Sequence, residues 1–264
     1  MDLNIKGKVA VVTGGATGIG LATAMEFAAE GAKVAIFNNV QSEVDSAVKQ
    51  FQEKGYPVYG KCVDIFDFDQ VAAFRDDVVK EFGAINIWVN NAAILNSGGY
   101  FDEITEDQWD KVMAVNLKGG VFCSRIAAEQ MKKQKSGVIL NIIAITSYLP
   151  IEKSSLYAIS KAGMGVFTQI AAAELAPYNI RVVGVHPGLT RTPMIDSFID
   201  NHPEGKSYYT DDIALQRLAD PSELAKPIVF LCSDAASYVT GGIVPVTGGK
   251  FCIQKPKVPW NDRG

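Results

Sequence analysis

The sequence of 264 residues has little of several features that mark particular classes of protein. Its formal net charge is −4, and Lys and Arg are scattered along the chain, so we expect no basic surface for nucleic acid. No stretch reaches the roughly 18 apolar residues of a membrane-spanning helix. The first residues also lack the basic and apolar regions of a secretion signal. We therefore expect a soluble, cytoplasmic protein that binds neither nucleic acid nor membrane.

Cysteine is also scarce, and its spacing excludes the usual cysteine-based sites. The four cysteines lie far apart and form no Cys-x-x-Cys pair, which leaves metal binding and redox chemistry without support. We expect no metal site and interpret most of these residues as small core side chains. They are Cys62, Cys123, Cys232 and Cys252.

The composition that is present favours one large α/β domain over residues 1–264. Hydrophobic residues make up 48% of the chain, enough for a substantial core. Short β-branched runs alternate with segments of helical length, which predicts a parallel sheet covered by helices on both faces. Helix starts are indicated at Thr105, by a capping box, and at Asp220, which precedes Pro and Glu. Residues 190–220 and the tail 250–264 fit no regular element.

A glycine-rich turn follows the first predicted strand. Gly14, Gly18 and Gly20 lie between that strand and an apolar-periodic helix. Glycines let a backbone approach a ligand closely, and a helix N-terminus offers free N–H groups and partial positive charge to a pyrophosphate. The turn therefore predicts a dinucleotide site. Its spacing is G-x-x-x-G-x-G, which differs from the common G-x-G-x-x-G fingerprint.

Motifs further along the chain follow in a fixed order over residues 7–249. They are the N-N-A-A run at 90–93, Asn116 in V-N-L-K-G, Y-x-x-x-K at Tyr157 and Lys161, P-G-x-x-x-T at 187–192, and S-D-A-A-S-Y-V-T-G-G from residue 233. Together with the glycine turn, this series resembles the short-chain dehydrogenase/reductase family. The resemblance implies a Rossmann-like, doubly wound, seven-stranded parallel sheet in the order 3-2-1-4-5-6-7, in three αβα layers. It also implies a homotetramer.

The same resemblance implies site residues, each at a position that matches a family motif. Asn116, Tyr157 and Lys161 would be catalytic, and residues 190–220 would form a substrate lid. Substrate contacts would come from Thr146, Leu149, Met194 and Phe198. The cofactor would contact Gly14, Thr17, Gly18, Ile19, Gly20, Asn38, Asn39, Asp64, Ile65, Asn91, Ala92, Ala93, Tyr157, Lys161, Pro187, Gly188, Thr190 and Thr192.

The chemistry of Tyr157 and Lys161 also follows from their spacing. Residues four apart share one face of a helix, so an ammonium would lie beside the phenol. A free Tyr titrates near 10, and a neighbouring cation would favour its phenolate form. Such a pair could protonate a carbonyl oxygen in reduction or take a hydroxyl proton in oxidation.

The position thirteen residues before Tyr157 holds Ala144, where the family usually has a Ser that holds the substrate oxygen. Loss of one such donor typically costs about 3 to 4 kcal/mol. Three explanations remain open: Ala144 is an engineered replacement of Ser, Thr146 or Ser147 supplies the hydroxyl after a local shift, or the protein has left catalysis for binding. We favour the first, because Asn116, Tyr157 and Lys161 are all retained, which argues against a loss of catalysis, and because Thr146 would need a backbone slip to reach Tyr157.

A few residues also indicate which cofactor and which substrate the protein would use. Asn38 follows the second strand where NAD-preferring relatives carry Asp, and no Arg stands at 38–42 to bind a 2′-phosphate, so we expect NAD(H) rather than NADP(H). The substrate would be a small secondary alcohol or ketone, with a lean to a hydroxysteroid or bile acid. Alternatives are a 3-oxoacyl or sugar-alcohol reductase, or a non-catalytic dinucleotide-binding regulator. His186, before Pro-Gly, is expected to support the site through a hydrogen bond.

Overall fold

The computed structural model describes residues 2–95, 99–200, 207–250 and 252. Within these residues, seven parallel strands form one sheet in the order β3-β2-β1-β4-β5-β6-β7. This order confirms the expected doubly wound sheet. The strands are β1 (Val9–Thr13), β2 (Lys33–Asn38), β3 (Val58–Cys62), β4 (Ile87–Asn90), β5 (Gly137–Ile142), β6 (Ile180–Pro187) and β7 (Ile243–Val246).

Helices connect the strands and cover both faces of the sheet. Capping boxes at Thr105 and Asp220 begin two of them, as the sequence predicts, because each cap side chain accepts a hydrogen bond from a first-turn N–H. The helices are α1 (Gly18–Ala29), α2 (Gln41–Glu53), α3 (Phe68–Phe82), α4 (Glu106–Met113), α5 (Gly120–Gln134), α6 (Ser155–Leu175), α7 (Pro193–Asp200), α8 (Ser207–Thr210) and α9 (Pro221–Cys232).

An apolar core lies on each face of the sheet, between the sheet and the helices that cover it. Successive residues of β1 point to opposite faces, so Val12 packs in one core and Val11 in the other. Helices α1, α2 and α9 close the first core, and α3, α5 and α6 close the second. Large side chains such as Phe27 and Trp88 are fully buried there, each contributing on the order of 2 to 3 kcal/mol. The expected three-layer αβα architecture is confirmed.

The strand order reverses between β1 and β4, and this reversal positions the site. Connections from the two strands leave toward opposite faces, which opens a crevice at the carboxyl ends of the strands. Residues 190–220 contribute α7 and α8 near this edge. Of the predicted features, the side chain of Phe198 and most of the 250–264 tail lie outside the described residues. None of the described helices has the length and apolar character that a bilayer span requires.

Candidate active site

A cavity of about 730 Å³ lies at the carboxyl ends of the strands. It joins residues that the sequence analysis had assigned to cofactor, substrate and catalysis, although they come from separate motifs. Members of the cavity wall are Gly14, Thr17, Gly18, Ile19, Asn38, Asn39, Asp64, Ile65, Asn91, Ala92, Ala93, Ala144, Thr146, Tyr157, Lys161, Pro187, Gly188, Thr190, Thr192 and Met194.

Three of the predicted site residues, although described, are not part of this cavity wall. Gly20 lies inside α1, where an added Cβ would come within 2.2 Å of the Gly14 carbonyl oxygen, so its role there is close packing. Asn116 is buried behind the cavity wall. Leu149 is 42% exposed and, in the part of the chain that the structure describes, does not line the cavity. A 3₁₀ turn over Ile145–Ser147 redirects the chain before it reaches Leu149.

The glycine turn presents the N-terminus of α1 to the cavity. Gly14 and Gly18 have φ angles of +60° and +55°, which favour glycine. Thr17 precedes the helix without capping it through its side chain, and the first turn carries no acidic residue. A Cβ on Gly18 would lie 3.3 Å from Thr192 Cγ2 and would narrow the space between them. The free N–H groups and the helix dipole fit the pyrophosphate of a dinucleotide.

Thr13 holds this turn in place, a role that the sequence analysis did not assign. Its buried hydroxyl oxygen accepts hydrogen bonds from the backbone N–H of Asn91 (3.0 Å) and of Ala92 (2.9 Å). In return, the Asn91 amide donates to the carbonyl oxygens of Thr13 and Gly14, both at 3.0 Å. Asn91 therefore fixes the turn through its side chain, besides lining the cavity. The only sequence signal for this pair is a Thr directly before the glycines.

The ends of β2 and β3 form the opposite part of the cavity. Asn38 is half-buried, its side-chain oxygen accepts from the Asn39 N–H at 2.9 Å, and its amide donates to the carboxylate of Glu43. Asp64 is exposed at the end of β3, and its carboxylate accepts from the Phe66 N–H at 3.0 Å. Glu43 thus brings a carboxylate to the end of β2, where no acid was expected from the sequence. It was missed because it lies in the first turn of α2 and not in the strand end itself.

Tyr157 and Lys161 lie one turn apart on α6, as predicted. The Lys161 ammonium donates to the carbonyl oxygen of Ile142 at the end of β5 (2.8 Å) and lies 5.7 Å from the centroid of the Tyr157 ring. Burial lowers the pKa of Lys161 to about 8 and raises the pKa of Tyr157 to about 12. The expectation that the cation lowers the phenol's pKa is therefore wrong here, since burial disfavours both charged forms.

Asn116 lies in a π-helical turn, Ala114–Gly119, between α4 and α5. Its amide donates to the Ile94 carbonyl oxygen (2.9 Å) and to the Ser160 hydroxyl (3.2 Å), while its side-chain oxygen accepts from the Ile94 N–H (2.8 Å). Such single π turns occur frequently at functional sites. Asn116 connects the segment after β4 to α6, and its hydrogen bonds reach Ser160, next to Lys161, and Ile94, which lines the cavity, although Asn116 is not itself among the described lining residues.

A buried polar network supports the strands beneath the site. The Asn90 amide donates to the Ser124 hydroxyl (2.7 Å) and to the side-chain oxygen of Asn141 (2.8 Å). Asn90 also accepts from the Trp88 indole N–H (2.9 Å), and the Asn141 amide donates to Thr168 (2.9 Å). Because buried polar groups are costly unless paired, this network fixes β4, β5, α5 and α6 relative to one another.

Ala144 and its neighbours follow β5 and form the remaining wall. The backbone of Ala144 is held by its carbonyl oxygen, which accepts from the Ser147 hydroxyl (2.8 Å) and lies 2.9 Å from His186 Nδ1. His186 therefore lies at hydrogen-bonding distance from the backbone next to the site, and its supporting role stays a prediction. The Ser147 hydroxyl already donates its hydrogen bond to that carbonyl oxygen. The Thr146 hydroxyl is buried and has no hydrogen-bond partner among the described residues. Thr146 lies beyond β5, which ends at Ile142, in the 3₁₀ turn over Ile145–Ser147.

Comparison with known proteins agrees with this arrangement. A family model described as enoyl-(acyl carrier protein) reductase matches residues 14–250. A 3alpha-hydroxysteroid dehydrogenase from Mediterraneibacter gnavus is 38% identical over 252 residues, which cover 94% of this chain and 98% of that protein. The chain belongs to the short-chain dehydrogenase/reductase family.

Two further relatives of this short-chain dehydrogenase/reductase chain extend the comparison. A 3-oxoacyl-(acyl-carrier-protein) reductase from Thermotoga maritima is 36% identical over 247 residues, covering 94% of this chain and 99% of that protein. The crystal structure of a short-chain type dehydrogenase/reductase from Mycobacterium marinum superposes with a TM-score of 0.89 at 29% identity, over 96% of this chain and 98% of that one. Members of the family are oxidoreductases that bind NAD(P)(H).

Proposed function

We propose that this chain transfers hydride between a nicotinamide dinucleotide and a secondary alcohol or ketone. One observation carries the proposal: a single cavity joins the uncapped N-terminus of α1 to the Tyr157 and Lys161 side chains. The glycine turn would hold the pyrophosphate, Asp64 and Ile65 the adenine, and Pro187, Gly188, Thr190 and Thr192 the nicotinamide end. When bound, the nicotinamide supplies or accepts the hydride.

Tyr157 would supply the proton in this reaction. With a pKa raised to about 12, its phenol stays protonated at neutral pH and can donate to the oxygen of a ketone in the cavity. Lys161, with its pKa lowered to about 8, remains mostly charged at neutral pH and favours a phenolate once the proton has left. Asn116 would position both groups through Ser160, which donates to the Tyr157 carbonyl oxygen at 2.8 Å.

Ala144 would leave the substrate oxygen without one donor and so reduce turnover in this chain. A methyl group in the cavity wall cannot donate a hydrogen bond, and Ser147 is bonded to the Ala144 carbonyl. Among the two nearby hydroxyls, the unpartnered one of Thr146 is the better substitute, provided that it rotates toward the cavity. A dinucleotide-binding protein without turnover is the second candidate, and Ala144 is the observation that favours it.

The substrate class that we propose is a ring alcohol or ketone with an anionic group, such as a hydroxysteroid carboxylate (a bile acid). Lys153 lines the cavity next to Glu152, which also lines it, and its ammonium lies 4.7 Å from the centroid of the Tyr100 ring, so Lys153 would be the cation that meets the anionic group. Met194, at the start of the proposed 190–220 lid, adds an apolar contact. The likeness to a 3alpha-hydroxysteroid dehydrogenase supports this class, while the likeness to a 3-oxoacyl reductase keeps acyl ketones in the test.

The test is ketone reduction by the Ala144→Ser variant with NADH. A panel of steroid, polyol and 3-oxoacyl ketones is assayed through loss of NADH absorbance, with Ala144→Ser/Tyr157→Phe as the matched control. We expect turnover with at least one ketone and its loss in the control. If Ala144→Ser binds NADH but reduces no ketone, the non-catalytic candidate is favoured. Size-exclusion chromatography with light scattering tests the proposed homotetramer separately.

A further inference from the structure

We propose that Glu43 discriminates against NADP(H), taking over the part that an acidic residue at the end of β2 plays in other dinucleotide sites. This inference rests on the proposed dinucleotide function. At that strand end the chain has Asn38, whose neutral amide cannot repel a 2′-phosphate. The carboxylate of Glu43, from the first turn of α2, accepts a hydrogen bond from that amide and restores negative charge next to it.

The position follows from the general geometry of such folds. The ribose of a bound dinucleotide contacts the end of the second strand, about 20 residues after the glycine turn. Asn38 and Asn39 line the cavity there, and Asn38 stands 18 residues after Gly20. The Asn38 side chain is oriented from both ends, by the Asn39 N–H and by Glu43. Its amide therefore holds the half-buried Glu43 carboxylate behind the cavity wall, next to the place where the ribose would lie, since Asn38 lines the cavity and Glu43 does not.

Among the described residues, no Lys or Arg forms a salt bridge with the Glu43 carboxylate. Among the described residues that line the cavity, Lys153 and Lys161 are the basic ones. Lys161 bonds to Ile142 at the end of β5, three strands from β2, which is roughly 14 Å at a spacing of about 4.8 Å. Lys153 contacts the Tyr100 ring, in the segment between β4 and α4. A 2′-phosphate beside Asn38 would therefore face the Glu43 carboxylate, with the two lysines of the cavity held by other contacts. The ribose hydroxyls of NAD(H) carry no charge and would not be repelled by the Glu43 carboxylate.

The experiment measures equilibrium binding of NADH and of NADPH to the full, unsubstituted chain, with nicotinamide fluorescence as the signal. Three substitutions are measured beside it: Glu43→Gln removes the charge, Glu43→Asp keeps it, and Glu53→Gln is the control at the far end of α2. We expect the parent chain to prefer NADH and Glu43→Gln to gain about tenfold in NADPH affinity, with NADH changed less than about threefold. Tenfold corresponds to about 1.4 kcal/mol.

Controls separate this inference from the function on which it rests. Glu43→Asp and Glu53→Gln should keep the parent ratio of the two affinities, and the gain in Glu43→Gln should shrink at high salt because the repulsion is electrostatic. An unchanged ratio in Glu43→Gln, or a parent preference for NADPH, overturns the role of Glu43 while leaving the dinucleotide function intact. Failure of the parent chain to bind either dinucleotide contradicts the proposed function itself.

Discussion

Lys161 should make the stability of this protein rise with pH in a window that the structure defines. Its side chain is 2% exposed, and burial lowers its pKa from 10.5 to about 8. Between those values the unfolded chain binds a proton that the native protein does not, so the free energy of unfolding increases with pH. Each pKa unit corresponds to about 1.4 kcal/mol, which makes the full increase about 3 kcal/mol.

The assay is urea unfolding at several pH values from 7.5 to 10, on the parent chain and on Lys161→Met. The difference in unfolding free energy between the two cancels the other titrating groups. Tyr157 does not interfere, because its pKa is raised to about 12 and its contribution is lost only above pH 10, as pH rises toward that value. Lys133→Met, which removes an exposed lysine, is the control and should follow the parent chain. A difference that stays constant with pH would show that the pKa of Lys161 is the same in the folded and the unfolded protein.

Three further substitutions test the turn and the buried polar contacts. Gly18→Ala should weaken NADH binding at least tenfold in a fluorescence titration, because its φ is +55° and the new Cβ would face Thr192. Gly55→Ala is the control: its φ of +71° gives similar strain, but its new Cβ would have nothing within 4 Å, so NADH binding should be unchanged. Asn90→Leu should lose about 2 to 4 kcal/mol in urea unfolding, because Trp88 and other partners become unpaired; a loss below 1 kcal/mol would contradict the network's importance. Arg181→Met should cost a similar amount by the same measurement, since Arg181 donates to three backbone carbonyl oxygens.

Most of the helices and strands could be predicted from local sequence patterns. Apolar runs and the capping signals at Thr105 and Asp220 predicted elements that the structure contains, since strand burial and helix capping depend on residues close in sequence. The strand order came from the family resemblance and not from these patterns, because pairing between distant segments leaves no local trace. Much of the cavity wall was likewise predicted from motif positions, and the structure brings those positions together.

The parts that sequence reasoning missed depend on contacts between separate segments. The Thr13–Asn91 pair crosses from β1 to the segment after β4, and Glu43 reaches back to Asn38 from α2. The pKa of Tyr157 was predicted in the wrong direction because helix spacing places a cation nearby but says nothing about burial. The 3₁₀ turn over Ile145–Ser147, which sets the position of Thr146 after β5, was not predicted from the sequence either.

Turnover of the Ala144→Ser variant relative to the parent chain tests the central claim, an oxidoreductase site that lacks one hydroxyl. The ratio of kcat values is measured with saturating NADH and the best ketone of the panel, with Ala162→Ser, an exposed serine on the same helix as Tyr157, as control. We expect Ala144→Ser to raise kcat by roughly a hundred- to a thousandfold and the control to leave it unchanged. An unchanged kcat in Ala144→Ser, with NADH bound, would contradict that claim.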